Sequence, residues 1–100
     1  MTDSVLTVVA VTRAKPGKAA DLRAAQERLV ADTLREEGCL GYALHQSLDD
    51  EHVLVFVERW ESETLWRAHM TGEAMQRFRA TGAGDHFADS TLHRLHKVAG

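Results

Sequence analysis

Six histidines in a chain of 100 residues are the side chains here most able to do chemistry. Near neutral pH an imidazole is a base, a metal ligand or a switchable charge. His69 stands out among them, because it falls four residues after Leu65 in a helical pattern and so shares the face that leans onto the rest of the fold. Two readings are open to it: a proton-abstracting base, or a buried histidine satisfied by a backbone carbonyl. Glu58 is the second candidate. It alternates with Leu54, Phe56 and Trp60 on one strand face, and a carboxylate among apolar side chains is costly unless it is paired. It could orient His69, bind a substrate hydroxyl, or pair with an arginine such as Arg59 or Arg67. Tyr42 offers a phenol on the face of Leu40 and Leu44, while His45 points with Cys39 and Ala43. The two line one side of a sheet only if a bulge intervenes.

Around these polar groups lie the residues that would wall a site for a flat aromatic ligand. Phe56, Trp60, Trp66, Met70, Met75 and Phe78 are all candidates, and each is equally readable as plain core. The pair His93-x-x-His96 invites a metal reading that its surroundings do not support. Residues three apart face opposite sides of a strand, and no second cluster of Cys, Asp or Glu sits at zinc spacing. No metal site is expected. His52 falls in a turn and His86 in a Gly-rich stretch, so both read as solvated. Cys39, the single cysteine, has no activating partner in the sequence and reads as a small buried hydrophobe. No glycine-rich phosphate loop is present to hold a flavin or nucleotide, so no cofactor is expected.

The elements that would position these groups follow from periodicity. Residues 4–12 are short, β-branched and apolar, the signature of a strand, and Lys15-Pro16-Gly17 ends it. Residues 18–37 carry Leu22, Ala25, Leu29 and Thr33 at helical spacing, with charged residues opposite and Gly38 as the left-handed stop. Residues 39–48 and 53–60 read as a β-hairpin about Asp49-Asp50-Glu51-His52. Ser62 caps a helical region over 63–80 that breaks near Thr71-Gly72. Residues 87–98 are the ambiguous segment, with Leu92, Leu95 and Val98 at helical spacing although a strand there would complete the sheet.

The order β-α-β-β-α-β is that of an α+β, ferredoxin-like domain spanning residues 1–100. Val53-Leu54-Val55-Phe56-Val57 lacks alternation, so both faces of that strand need cover. Helices connected in this order cover only one face. The economical cover for the other is the same face of a second copy, giving a homodimer built as a dimeric α+β barrel. The formal charge of −3, without any basic run, argues against nucleic acid. No apolar stretch is long enough for a membrane span, and the N-terminal residues lack the character of a signal peptide. One cysteine fits a reducing, cytoplasmic setting.

With these motifs placed, the chain resembles the antibiotic biosynthesis monooxygenase family. The resemblance is carried by Ala14-Lys15-Pro16-Gly17-Lys18, by Glu37-Gly38-Cys39-Leu40-Gly41-Tyr42-Ala43-Leu44-His45 and by Glu58-Arg59-Trp60-Glu61-Ser62. It extends through the run Leu65, His69, Met75 and Phe78, and covers about residues 5–98. It implies the dimeric barrel and a cofactor-independent oxidation of a quinol or polycyclic phenol by dioxygen. In that reaction His69 would be the base, Glu58 and Tyr42 polar positioning groups, and Trp60, Trp66, Phe56, Met75, Phe78 and His45 substrate contacts. Two departures bear on this. Ala74 stands where many members carry a second histidine, and Glu37 where proline is common. Positions matching the haem-degrading relatives read Ala10, His69 and Arg79, which disfavours haem breakdown. A non-enzymatic domain that binds an aromatic ligand, and an enzyme processing a small signalling metabolite, are the competing readings.

Overall fold

The computed structural model describes residues 4–100. In chain order it contains β1 (Leu6–Ala14), α1 (Ala19–Thr33), β2 (Cys39–Gln46), β3 (Val53–Trp60), α2 (Glu63–Met70), α3 (Glu73–Ala80), a short 3-10 turn (Ala83–His86) and β4 (Phe87–Leu95). The four strands form one sheet in the order β2-β3-β1-β4, and every neighbouring pair is antiparallel. This is the α+β, ferredoxin-like architecture, with its second helix split into two. The split falls at Thr71 and Gly72, the break the sequence marks. The ambiguous last segment is a strand as far as Leu95. Antiparallel pairing with β1 from Thr7↔Leu95 to Ala14↔Phe87 outweighs the helical spacing of its leucines.

One layer of helices covers one face of the sheet. From α1, Leu22, Ala25, Gln26, Leu29 and Thr33 turn inward. They meet Val8, Thr12 and Ala14 of β1 and Leu54, Phe56, Glu58 and Trp60 of β3, all buried. Trp60, Leu22 and Leu54 are essentially sealed from solvent, and burying each such side chain contributes about 1.5–3 kcal/mol. A polar thread runs through this layer. Gln26 Nε2 donates to Thr12 Oγ1 at 3.1 Å, and Thr12 Oγ1 donates to the Leu54 carbonyl at 2.7 Å. It ties α1 to β1 and β3. Ser62 caps α2 by accepting from the Leu65 amide at 3.2 Å, as its residue type requires.

Two details differ from the sequence reading. Helix α1 ends at Thr33 rather than near residue 37, and a turn closed by the Glu36 amide on the Thr33 carbonyl (2.9 Å) leads to Gly38. The register between β2 and β3 slips between Cys39 and Gly41, so Cys39 pairs with Trp60 and Gly41 with Arg59. This bulge turns Cys39 onto the helix-facing side with Tyr42 and leaves Leu40 exposed. Cys39 therefore does not share a face with His45, and Leu40 does not share one with Tyr42.

Gly38 fixes the height at which α2 sits. Its φ is +83°, and a β-carbon there would lie 2.5 Å from Leu65 Cδ1. Only glycine permits both the turn and the approach. Leu65 packed on this turn places His69, one helical turn later, beside the end of α1.

Among the described residues no helix covers the other face of the sheet. Val9, Val11, Val55, Val57, His45, His93 and Leu95 share it by register, and Val57 and Leu95 are among the exposed large apolar side chains.

Candidate functional site

Beneath α2 and α3, against the helix-facing side of the sheet, lies a cavity of about 130 Å³. Each strand contributes through simple alternation. β1 supplies Ala10 and Thr12, β2 supplies Tyr42, and β3 supplies Phe56 and Glu58. The helices add Leu29, His69, Met70, Met75 and Phe78. Phe87, Ser90 and Leu92 of β4 form the edge, and since Ser90 and Leu92 are exposed the cavity opens along that strand. The lining is apolar and aromatic except for a phenol, a carboxyl, an imidazole and a few hydroxyls.

Tyr42 stands at the centre of an aromatic cluster. Its ring centroid lies 5.2 Å from Phe56, 6.3 Å from Trp60 and 5.4 Å from His69. His69 in turn lies over Trp60 at 4.8 Å with the planes tilted by 32°. Burial drives the Tyr42 phenol well above its ordinary range, with the Glu58 charge adding to the effect. Thr33 Oγ1 approaches the phenol and opposes that rise slightly, without closing a well-formed hydrogen bond. Tyr42 is therefore a neutral hydrogen-bonding group here.

Glu58 is 4% exposed, and its Oε1 accepts from Trp60 Nε1 at 3.0 Å. Burial pushes its carboxyl up from 4.5 to about 7, against the opposing pull of that hydrogen bond. Neither Arg59 nor Arg67 reaches it. Arg67 pairs instead with Glu63, one turn back on α2.

His69 is 3% exposed. Its Nδ1 meets Glu36 Oε1 at 2.7 Å, and no hydrogen bond reaches Nε2 from the described residues. Burial holds the imidazole below its ordinary range. Glu36 pulls the other way, and the positive charge of Arg79 adds to the depression. Glu36 itself follows α1, where the amide of Cys39 donates to its carbonyl at 3.2 Å. The sequence pattern puts Glu36 on the solvated face of a longer helix. It lies 33 positions from its partner, and no local spacing signals the contact.

The structure thus gathers Tyr42, Phe56, Glu58, His69, Met70, Met75 and Phe78 around one space. Three other candidates lie elsewhere. Trp60 stands behind the wall, bonded to Glu58 and lying over His69, and does not line the cavity. Trp66 packs against the guanidinium groups of Arg67 and Arg94, 6.0 and 5.8 Å from its ring centroid. His45 pairs across the sheet with Val55, so alternation puts it on the open face. It is exposed beside a shallow groove with Arg23, Glu27 and Gln46. Ala74 is buried but borders grooves between α1 and α3, outside the cavity. Thr12 and Ser90 also line the cavity, and no local pattern in the sequence marks either as a site residue.

A larger groove, about 360 Å³, lies outside between α1 and α3. Its one carboxylate, Asp32, is engaged by Arg77 at 3.3 Å, so the smaller cavity holds the better acid–base set. Among the described residues no three His, Cys, Asp or Glu side chains converge as metal ligands. His52 pairs with Asp50 in the β2–β3 turn at 3.2 Å. No helix among the described residues is long and apolar enough to cross a membrane.

Residues 5–81 match the model of the antibiotic biosynthesis monooxygenase family. The chain belongs to that family. Solved structures agree with the assignment. PA3566 from Pseudomonas aeruginosa is 30% identical, with a TM-score of 0.89 over 99% of both chains. Rv0793 from Mycobacterium tuberculosis is 26% identical over 97% of this chain and 98% of its own, with a TM-score of 0.87. A crystal structure described as an antibiotic biosynthesis monooxygenase is 26% identical over 94% and 99%, with a TM-score of 0.86. None of the curated proteins matches the sequence. Antibiotic biosynthesis monooxygenase family membership supports oxidoreductase chemistry for this chain.

Proposed function

We propose that the chain is a cofactor-independent monooxygenase that oxidises a hydroquinone-type phenol with dioxygen in the cavity beneath α2 and α3. The observation that carries this reading is a buried imidazole lining an apolar, aromatic-walled cavity, held at Nδ1 and with no hydrogen bond to Nε2 among the described residues. A volume of about 130 Å³ suits a single aromatic ring, since an apolar cavity of about 150 Å³ accepts benzene. It favours a one-ring quinol over a polycyclic phenol.

The chemistry follows from the groups present. His69 Nε2 takes a phenolic proton, and burial, which holds the imidazole below its ordinary range, keeps it neutral and able to accept one. The electron-rich phenolate passes an electron to dioxygen. The resulting pair joins carbon to oxygen as a ring hydroperoxide. The imidazolium gives its proton to that peroxide, and the ring C–H proton leaves with the departing hydroxide as the O–O bond breaks, so that one oxygen stays on the ring and the other leaves as water. For the parent hydroquinone, one quinol and one dioxygen become one hydroxybenzoquinone and one water. The quinol is oxidised by four electrons and both oxygen atoms of dioxygen are reduced, so no further reductant is needed. The neutral phenol of Tyr42 and the carboxyl of Glu58 supply hydrogen bonds to the two substrate oxygens. Phe56, Phe78 and the methionines hold the ring flat and exclude water.

The valine-rich open face supports a homodimer with the two sheets facing each other. Val9, Val11, Val55 and Val57 form an apolar surface, and its simplest cover is the same surface of a second copy. The two cavities would then lie on the outer sides of the paired sheets.

The test is oxygen uptake with a one-ring hydroquinone by protein stripped of metal and flavin. One dioxygen consumed per quinol, with no turnover under nitrogen, supports the reading. Binding of the quinol with quenching of tryptophan fluorescence but no oxygen uptake would make the chain a ligand-binding domain instead. Turnover that continues without oxygen would point to processing of a small metabolite.

A further inference from the structure

His69 forms part of two linings. It faces the inner cavity beside Tyr42 and Glu58, and it also borders an outer groove of about 320 Å³ with Glu36, Glu37, Glu73 and Arg77. Glu36 is on the outer side only. Its side chain keeps 23% of its exposure, against 2% for His69. The two groups therefore span the wall, with the carboxylate at the wet end and the imidazole at the dry end.

We propose that Glu36 is the positioning residue of His69: by accepting the Nδ1 proton it holds the imidazole in the tautomer that leaves Nε2 a lone pair facing the substrate. This rests on the monooxygenase reading above. A neutral imidazole has one donor and one acceptor nitrogen, and the partner of one decides the state of the other. A carboxylate has no proton to give, so opposite Glu36 the hydrogen must sit on Nδ1. When Nε2 takes the phenolic proton, the imidazolium that forms already has an opposite charge 2.7 Å away in a site where charge is otherwise expensive.

The surroundings explain why the sequence keeps this contact so confined. Glu36 is set by backbone hydrogen bonds on both sides, from its own amide to Thr33 and from the Cys39 amide to its carbonyl. Its Oε2 lies near Gly72, the cap of α3, where an added β-carbon would come within 3.9 Å of it. The charged and titratable groups that face His69 come from each packed element. Glu36 follows α1, Tyr42 is on β2, Glu58 on β3 and Arg79 on α3. Of these, Glu36 alone makes a hydrogen bond to the ring.

The experiment uses the full chain with ¹⁵N-labelled histidine and reads the ring nitrogens by NMR across pH, for wild type and for Glu36→Gln and Glu36→Asp. Wild-type His69 is expected as the Nδ1–H tautomer. Glutamine presents a donor as well as an acceptor, so E36Q is expected to lose that preference and to titrate at lower pH, and E36D to restore part of both. In steady-state kinetics E36Q is expected to lower kcat about tenfold with KM within about twofold of wild type, while the acidic limb of the kcat profile moves to lower pH. A merely structural role would not move that limb. An Nε2–H tautomer in wild type, or an E36Q spectrum with unchanged tautomer and titration, would overturn the proposal. If the ring behaves as expected and wild type consumes no oxygen, the failure belongs to the monooxygenase reading. E36Q is close to isosteric, and unchanged backbone shifts away from the site establish that it folds.

Discussion

Glu58 accepts a hydrogen bond from the indole of Trp60, 3.0 Å away on the same strand face, and no cation balances it among the described residues. Its carboxyl is accordingly raised from 4.5 to about 7 by burial. The unfolded chain ionises this group near 4.5, while the folded protein resists ionisation until about 7. Stability from this group is thus retained at low pH and lost as pH rises between those values, by about 3 kcal/mol at full effect. Glu58→Gln keeps an acceptor for the indole and removes the charge. Thermal unfolding should find E58Q more stable than wild type at about pH 8, by several degrees, and no more stable near pH 4.5.

His69 carries the opposite pH dependence. Its folded value is lowered by burial, so its contribution is intact above the ordinary value of 6.5 and is lost as pH falls below it. His69→Gln removes a group that must be charged in acid. Denaturant melts of H69Q and wild type should therefore converge as pH falls below about 6.5, with wild type showing the steeper loss there.

Gly38 couples fold to site. Alanine there must adopt a φ of +83° and place its β-carbon 2.5 Å from Leu65 Cδ1. The backbone conformation alone costs about 1–2 kcal/mol, and the clash adds to it by pushing α2 off the turn. G38A should lower the midpoint of denaturant unfolding. It should also weaken the hydrogen bond between Glu36 and His69, read as loss of the downfield Nδ1 proton resonance.

The open face makes its own prediction. Val57 is 39% exposed and lies near the middle of that surface, opposite Val9. Val57→Glu puts a charge where a second sheet is proposed to pack. Light scattering should find wild type as a dimer at micromolar concentration and V57E as a folded monomer. A wild-type monomer at that concentration would rule out the paired sheets.

The parts of this architecture that were legible in the sequence are those set by local periodicity and punctuation. The strand 53–60, the cap at Ser62, the break at Thr71-Gly72 and the assignment of Tyr42 and His45 to opposite faces all follow from alternation and turn chemistry. The same alternation brought Glu58 and Phe56 to the side that His69 faces. What was not legible depends on long-range contacts. The bulge at Cys39–Gly41 reverses the face of Cys39 because of pairing with β3. The early end of α1 carries Glu36 out of the helical pattern and under α2. Trp60 and Trp66 are indistinguishable from cavity walls by residue type, and only packing shows one behind His69 and the other against two arginines.

The central claim is that His69 is the base for oxidation of a quinol bound in this cavity. Its most direct test is the rate of oxygen consumption with a one-ring hydroquinone, measured for wild type and His69→Ala under the same metal- and flavin-free conditions. H69A should lose at least about tenfold in rate, and up to the roughly 10²–10⁴-fold that general acid–base catalysis contributes, with quinol binding retained. Oxygen consumption by H69A at the wild-type rate would contradict it.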